Sequence, residues 1–525
     1  MPPRKRSPSP RSSTSPSESK PSPTKRAKVE KESSGTKATA KKVKVDENDE
    51  GAEPGLGRWK DWPAPQDQMR LAKDFILEAV KGKHRIALVP DKDADGLSAC
   101  LVLYRLLVVA LSHPPELVEV YFLPKGVNVH SPVAQEGVLN LRFESTMTER
   151  DPNAGGDEYA GPTRAIVLDQ GSRPGPPLFP PDKVDTLLID HHQSLEFPES
   201  IRVLTASQSE PVATTSILTY LLCCTIDRST RDDRESAMGA LLGLYGDLGS
   251  GKINLSDPDL PWPWWLASWE KTLTKTKLSK ATALLNAPRR TPEFNARVAW
   301  NALVGAKGQL EKVINDDELG EAKARTSAET TRWQGAAPKF SKDGSVAVIK
   351  VDSGFQIHPV IATRWQGTLR KAKTLVCIMC ANTGYTPGFV HFSCRAPRRS
   401  PSDPGYSGPP NLIQFLKACI PRCDELSPGW GERVGHDFAR GHKEATGGII
   451  PVAEFEVLMT ALEIGVKADK GASPGKKSTT TGPKAIDPNQ KNTLDSFFGI
   501  KKKEGKKEEE EDGSNETKEG GKVEA

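Results

Sequence analysis

Four short segments of this sequence carry carboxylates and imidazoles where an apolar run or a helix ends. Asp91-Lys92-Asp93-Ala94-Asp95-Gly96 follows Ile86-Ala87-Leu88-Val89, Asp169 follows the run 165–168, Asp190-His191-His192 follows the run 186–189, and Gly246-Asp247-Leu248-Gly249 closes a helical pattern over 237–245. A single carboxylate at such a point is ordinarily a turn residue or a helix cap. Four of them converging on one edge of a sheet need another reason. Clustered carboxylates repel one another and drift toward neutrality unless cations hold them ionised. Oxygen donors with one or two imidazoles and no thiolate suit Mg²⁺ or Mn²⁺ better than a structural zinc. That many donors fit two ions about 3.5–4 Å apart, a spacing that clamps the attacking and leaving oxygens of phosphoryl transfer.

The elements that must position these groups are legible from periodicity. Met69, Ala72, Ile76 and Val80, widened by Phe75 and Ala79, recur at helical spacing from about Gln68, and the pattern then alternates: strand 86–89, a helix after Gly96, and strands 118–123, 165–168 and 186–189. Short apolar strands separated by helices predict a parallel α/β sheet, whose ligands bind at the carboxyl ends of the strands. A second α/β block is expected over about 345–462, with strands 346–351, 374–379 and 388–393 and helices 359–369 and 411–418. A helical stretch over 264–331 joins the two, and the cluster Trp262, Trp264, Trp265 and Trp269 near its start is read as packing rather than as a base-stacking surface.

The expected organisation is therefore α/β: a disordered basic region 1–62, a first α/β domain 63–260, a helical connector 261–338, a smaller α/β domain 339–466 and a disordered tail 467–525. The ends are too rich in Ser, Pro, Lys, Gly and Glu to bury a core. Between them the chain is long enough to fold without staples, so a metal is expected to do chemistry rather than hold structure. Eight cysteines without the spacing of a small secreted scaffold fit a reducing compartment. Cys377 and Cys380 lie inside a strand pattern on opposite faces and are expected in the core, and Cys419 and Cys423 are read as structural. There is no run of eighteen or more apolar residues, and the start is basic where a secretory signal would be apolar, so the expectation is a soluble intracellular protein without membrane contact. A net charge of +5 says little by itself about a polyanionic partner. Arg4-Lys5-Arg6 and Lys25-Arg26-Ala27-Lys28 are basic clusters of the kind read in nuclear import, and they predict the nucleus.

In order and spacing, the four acidic segments resemble the successive motifs of DHH-family phosphoesterases. That resemblance implies Asp93, Asp95, Asp169, His191 and Asp247 as metal ligands, with Asp190 also at the metal centre or orienting His191. It implies His192 at the scissile phosphate or leaving group, and Asp91 in a supporting role beside the metals. Many members carry a His four residues before the first metal-binding Asp; Val89 stands there, as is common in the RecJ-like branch. Arg440-Gly441-His442-Lys443-Glu444-Ala445-Thr446-Gly447-Gly448 resembles the Gly-Gly-His-x-x-Ala-x-Gly signature of the DHH-associated domain, with Arg440 in place of the first Gly. Glycines let a chain approach phosphates closely, whereas Gly447-Gly448 could equally be a simple turn. Asn286-Ala287-Pro288-Arg289-Arg290, His358-Pro359 and Ser393-Cys394-Arg395 are further RecJ-like fragments, so the resemblance spans about 85–451. By it Asn286, Arg290, Arg395, Gly441, His442 and Gly447 would bind substrate, the two arginines as fork-shaped phosphate donors, with Arg398 and Arg399 read as solvated.

In the tail, Leu494, Phe497 and Phe498 share one helical face and resemble the motif that docks on the replication sliding clamp. The usual Gln is displaced: Gln490 sits one residue early and Lys491 holds its place. Taken together, the expected function is a Mn²⁺- or Mg²⁺-dependent phosphodiesterase of single-stranded nucleic acid, with DNA and 5′-to-3′ polarity implied by the RecJ resemblance alone. An oligonucleotide or cyclic-dinucleotide phosphoesterase uses the same metal site, and a non-catalytic replication scaffold is the third reading.

Overall fold

The computed structural model describes residues 61–143, 160–369, 374–400, 402, 408–435 and 438–467. The basic clusters near the start and Leu494, Phe497 and Phe498 lie outside these residues. Helix α1 (Gln66–Lys81) buries Met69, Ala72, Phe75, Ile76 and Ala79 along one stripe, and β1 (Ile86–Pro90) is buried throughout, as its unbroken apolar run requires. There follow α2 (Ala94–Arg105), β2 (Val118–Val120), α3 (Pro132–Leu139), β3 (Arg164–Leu168), β4 (Asp185–Asp190), β5 (Arg202–Thr205), α4 (Thr215–Ile226) and α5 (Arg234–Asp247). The five strands form one parallel sheet in the order β2-β1-β3-β4-β5. The order reverses beside β1, so the crevice between the carboxyl ends of β1 and β3 is a topological switch point, where ligands of such sheets bind. Strand β2 is shorter than the expected 118–123 because only 118–120 pair with β1 before the chain peels away toward Pro124. Strand β5 was not anticipated: it is a short edge in which Leu204 alone is fully buried, too little apolar signal to register.

Helices α1, α2, α4 and α5 cover one face of the sheet in a large apolar core, and α3 covers the other. The connector supplies α6 (Leu266–Leu273), α7 (Lys275–Leu285), α8 (Ala296–Gly305), α9 (Leu310–Ile314) and α10 (Asp317–Trp333), several of whose apolar residues join that larger core. Trp262 is buried edge-on against Trp62, and Trp265 and Trp269 pack at the core's margin; Trp264 departs from the packing reading, with three-quarters of its surface exposed. The second unit contains β6 (Lys339–Phe340), β7 (Val346–Val351), α11 (His358–Thr368), β8 (Cys377–Thr386), β9 (Phe389–Arg395), α12 (Leu412–Lys417), α13 (Ile420–Leu426), α14 (Trp430–Val434), β10 (Arg440–His442), β11 (Ala445–Pro451) and α15 (Val452–Ala461). Its six strands run β10-β11-β9-β8-β7-β6, antiparallel except between β7 and β8.

Strand β8 starts three residues later than expected and runs on to Thr386, because its polar second half pairs with β9 around Gly388, whose φ of +80° makes the hairpin turn. Cys377 and Cys380 do face opposite ways, each buried in the core on its own side of the sheet. Cys423 is buried and Cys419 half-buried. No helix among the described residues is long and apolar enough to cross a membrane.

Candidate metal centre

Strands β1, β3 and β4 end side by side, and the acidic segments are what follow them. Asp93 caps α2: its Oδ1 accepts from the backbone N–H groups of Asp95 and Gly96 at 3.1 and 3.3 Å. Asp95, fully buried, accepts the N–H groups of Thr215 (2.8 Å) and Ser216 (3.0 Å) at the start of α4, where the helix dipole favours a negative charge. Asp169 has a left-handed backbone, φ +63°, uncommon for a residue other than glycine, and its Oδ1 accepts the Thr215 hydroxyl at 2.9 Å. Asp247 arrives from the far side as the last residue of α5. Two glycines allow this convergence. A Cβ on Gly96 would lie 2.5 Å from the Asp91 carbonyl oxygen, and one on Gly243 would lie 2.2 Å from Ser216 Oγ and 2.4 Å from Asp95 Oδ1.

His191 sits at the meeting point. Its Nε2 lies 3.0 Å from Asp247, 3.4 Å from Asp169 and 3.8 Å from Asp95. Although the side chain is buried, neither ring nitrogen makes an aligned hydrogen bond. Asp190 does something different: its Oδ1 accepts the backbone N–H groups of His191 and His192 and holds His192 Nδ1 at 2.8 Å, while Oδ2 takes the Ser172 N–H. Asp190 therefore orients the ring of His192, not that of His191. Asp91 is ion-paired with Lys92 at 3.0 Å and stands beside Asp93 and Asp169.

The electrostatics reflect crowding. Burial, and then the charge of Asp247, raises Asp95 to about 6. Burial, with Asp95 and Asp93 next to it, holds Asp169 well above the usual carboxylate range. For Asp190 burial works upward too, but the neighbouring His192 outweighs it and the carboxyl ends below its ordinary value. His192 is the mirror image: burial disfavours its charge, yet Asp190 lifts it to about 9. His442 is lowered to about 4 by burial and by the two facing imidazoles.

These donors fit a divalent cation. Asp95, His191 and Asp247 form one set of potential ligand atoms mutually within 4.8 Å, and Asp91, Asp93 and Asp169 form a separate set at the same limit. A buried His191 whose Nε2 faces three carboxylates without an aligned bond, and carboxylates displaced toward neutrality, are what a hard cation would satisfy. Thr215 anchors both Asp95 and Asp169 without being a donor to the metal itself. Thr215→Val removes a buried bond to a carboxylate and is expected to weaken Mn²⁺ binding by about 10–100-fold, read by calorimetric titration; unchanged affinity would show that Asp169 needs no such anchor.

The second unit closes over this centre. Hairpin β10–β11 lays His442 on His192, the rings 5.8 Å apart and nearly parallel, with His191 also at 5.8 Å. Gly441 has φ +112°. Gly447 lies within strand β11 rather than in a loop or turn, where a Cβ would be 2.3 Å from the Phe392 carbonyl oxygen. Asn286 ties the connector to the first unit: its Oδ1 accepts the Ala94 N–H at 3.3 Å and Arg289 Nε at 3.1 Å. Arg289 in turn reaches Asp93 at 3.5 Å. Arg290 has no hydrogen-bond partner for its Nε, and burial followed by the charge of Arg289 lowers it to about 9. Arg395 binds Thr363 Oγ1 and the Cys394 carbonyl. Arg398 is exposed, whereas Arg399 donates to the Leu375 carbonyl and so is not simply solvated.

Sequence reasoning singled out His358 but missed the cluster it belongs to, beside these arginines. His358, Tyr385 and His391 meet at tilted and edge-on angles, the Tyr385 hydroxyl and His358 Nδ1 lack partners, and Lys125 reaches over the Tyr385 ring at 4.1 Å while donating to the Pro292 and Gly354 carbonyls. One signal was present: His391, Ser393 and Arg395 put polar groups at a period of two on one face of an otherwise apolar strand.

The fold and site thus define a two-unit α/β protein with an acidic, imidazole-bearing centre at the switch point of a parallel sheet. Residues 85–244 match the model of the DHH family, N-terminal domain, and this part of the chain is a DHH domain. Among curated proteins, none matches the sequence. Several solved structures are similar. The DHH domain of a protein described as a member of the s1p family of ribosomal proteins aligns with a TM-score of 0.52 at 14% identity, over 77% of this chain and 92% of that one. RecJ from Thermus thermophilus in complex with Mn²⁺ gives 0.49 at 16% identity over 75% of this chain, which spans 54% of that protein's length. Exonuclease RecJ bound to manganese gives 0.46 at 17% identity, over 75% and 93%.

Proposed function

We propose that this chain is a divalent-metal-dependent phosphodiesterase that hydrolyses single-stranded nucleic acid, acting on DNA from the 5′ end. The observation that carries the proposal is His191 Nε2, buried and ringed by the carboxylates of Asp247, Asp169 and Asp95. Adjoining donor sets support a pair of ions, Mn²⁺ or Mg²⁺, held by Asp93, Asp95, Asp169, Asp190, His191 and Asp247 with Asp91 beside them. Such ions supply charge neutralisation at the reacting phosphate. The chain's own groups do the rest. His192, kept protonated through Nδ1 by Asp190, presents Nε2 to a leaving oxygen. Neutral His442 donates to a phosphate oxygen, and Arg290 and Arg395 grip the nucleotide next to the cut.

End-labelled, 5′-phosphorylated single strands incubated with Mn²⁺ should be shortened stepwise from the 5′ end, and Asp169→Ala should leave them intact. Absence of cleavage by the wild type, or equal cleavage by the variant, removes the enzymatic reading. Work in the nucleus, in replication or repair, belongs to the same proposal, with clamp docking through Leu494, Phe497 and Phe498; capture of the chain on immobilised clamp, lost in Phe497→Ala, checks it.

A further inference from the structure

The two donor sets differ in what else stands beside them. Asp93 has one carboxylate oxygen committed, since Oδ1 accepts the Asp95 and Gly96 N–H groups at the start of α2. Oδ2 is the oxygen left for an ion, and it faces the Arg289 guanidinium, with Nη2 at 3.5 Å. At that distance the attraction is one of charge more than of an aligned bond. Arg289 is held in place from two further sides. Its Nε donates to Asn286 Oδ1 at 3.1 Å, the same oxygen that accepts the N–H of Ala94 next to Asp93, and its Nη1 donates to Gln356 Oε1 at 3.2 Å. The Gln356 N–H is itself fixed on the Arg290 carbonyl at 2.8 Å, so the guanidinium has no free path away from Asp93. Asp91, in the same donor set, has its own cation in Lys92 at 3.0 Å. Burial pushes Asp91 up, but Lys92 and then Arg289 outweigh it and leave the carboxyl below its ordinary value. The other set has no such neighbours: among the described residues no lysine or arginine is ion-paired with Asp95 or Asp247, which face the His191 imidazole instead. A positive charge fixed beside a carboxylate opposes any cation that carboxylate could bind, and most of all where the charge cannot withdraw.

We propose that Arg289 is a resident cation of the metal centre that makes its two ion positions unequal, weak at Asp91, Asp93 and Asp169 and strong at Asp95, His191 and Asp247. The Mn²⁺ concentration at which the whole centre fills is then set by Arg289, with Lys92 as a lesser contributor whose longer, freer chain can swing aside. The inference rests on the two-ion reading and deepens it. Full-length protein stripped with chelator is titrated with Mn²⁺ by calorimetry in the absence of nucleic acid, and the joint filling of both positions is followed by the electron paramagnetic resonance signal of neighbouring Mn²⁺ ions. The wild type should bind two ions with affinities about tenfold or more apart. Arg289→Gln should tighten the weaker step about tenfold and move the stronger one within about twofold. Arg289→Lys keeps the charge without the fork and should stay within about threefold of the wild type at both steps, which a merely structural arginine would not require. Lys92→Gln, which leaves the contact between the units intact, should shift the weaker step the same way by about threefold and decides the matter should the arginine variants unfold. His191→Gln should remove the stronger step and keep the weaker, which assigns the two. Two equal steps in the wild type, one ion in both the wild type and Arg289→Gln, a weaker step that Arg289→Gln loosens or leaves unchanged, or an equal gain in Arg289→Lys overturns the proposal while a metal-dependent enzyme still stands. Binding of no ion by the wild type removes the metal reading itself.

Discussion

Asp169→Asn is expected to abolish metal-dependent cleavage while making the metal-free protein more stable. The two effects have one cause. Asp169 lies between both donor sets, buried, with its acidity suppressed first by burial and then by Asp95, Asp93 and Asp247. A carboxyl whose folded pKa is raised loses stability for the fold as pH climbs from its unfolded value toward the folded one, so near neutrality the crowded, metal-free site opposes folding. Asparagine keeps the shape and the bond from Thr215 but carries no charge. The melting temperature in chelator should therefore rise above that of the wild type, most clearly at pH 7 and least below pH 4. In Mn²⁺ the order should invert: ligand binding stabilises the wild type by about 2.7 kcal/mol at a hundred times Kd, and the variant forfeits most of this. Losing several kcal/mol of charge neutralisation at the reacting phosphate corresponds to a rate loss on the order of a thousandfold. Thermal melts with and without Mn²⁺, beside a cleavage assay, check all three. A metal-free variant less stable than the wild type would mean that the carboxylates are not under mutual repulsion.

The second large effect belongs to a residue with no chemistry of its own. Gly243 on α5 faces Ser216 on α4 and Asp95 on α2, and any side chain there meets these two before anything else. Gly243→Val should displace Asp95, whose carboxylate is fixed by the start of α4, and a shift of about 1 Å in a positioned group costs on the order of a hundredfold in rate. Overpacking adds about 1–3 kcal/mol of destabilisation. Gly243→Ala should show the smaller version of both. Activity lost at temperatures where circular dichroism still reports a folded chain separates the displacement from simple unfolding; full activity in the valine variant would show that α5 can retreat without moving the ligand.

Much of this was readable beforehand because strand ends are written in a local code. An apolar run followed by an acid gives both the strand and the position of its functional group, which is why Asp93, Asp169 and Asp190 could be singled out from residues adjacent in sequence. The helix-borne Asp247 was legible through the glycines around it. What eluded sequence reading depends on partners far away along the chain. Thr215 and Ser216 resemble any helix start until Asp95, 120 positions earlier, is seen to accept their N–H groups. Lys125 and Tyr385 meet only because the two units close together. Asp190 was placed by resemblance at the metal centre or as the support of His191; its contacts with three groups of the His191-His192 segment show it orienting the ring of His192, and it also shares a possible donor set with Asp169 and His192. Gly447 was ambiguous for a similar reason: a pair of glycines reads as a turn, and only the β9 backbone passing close by reveals a strand.

Among the predicted ligands, Asp95, Asp169 and His191 are sealed from solvent, while the side chain of Asp247 keeps about a quarter of its surface open. Asp93 is similarly accessible, below the Arg289 that bridges toward the other unit. Among the described residues, these two carboxylates together with Asp91 and His192 form the side of the centre that is open to solvent. If a strand binds over that side, as the proposed function requires, it would act as a stopper, so exchange of Mn²⁺ should slow while the strand is bound, and cations would be loaded before the polymer, not after it.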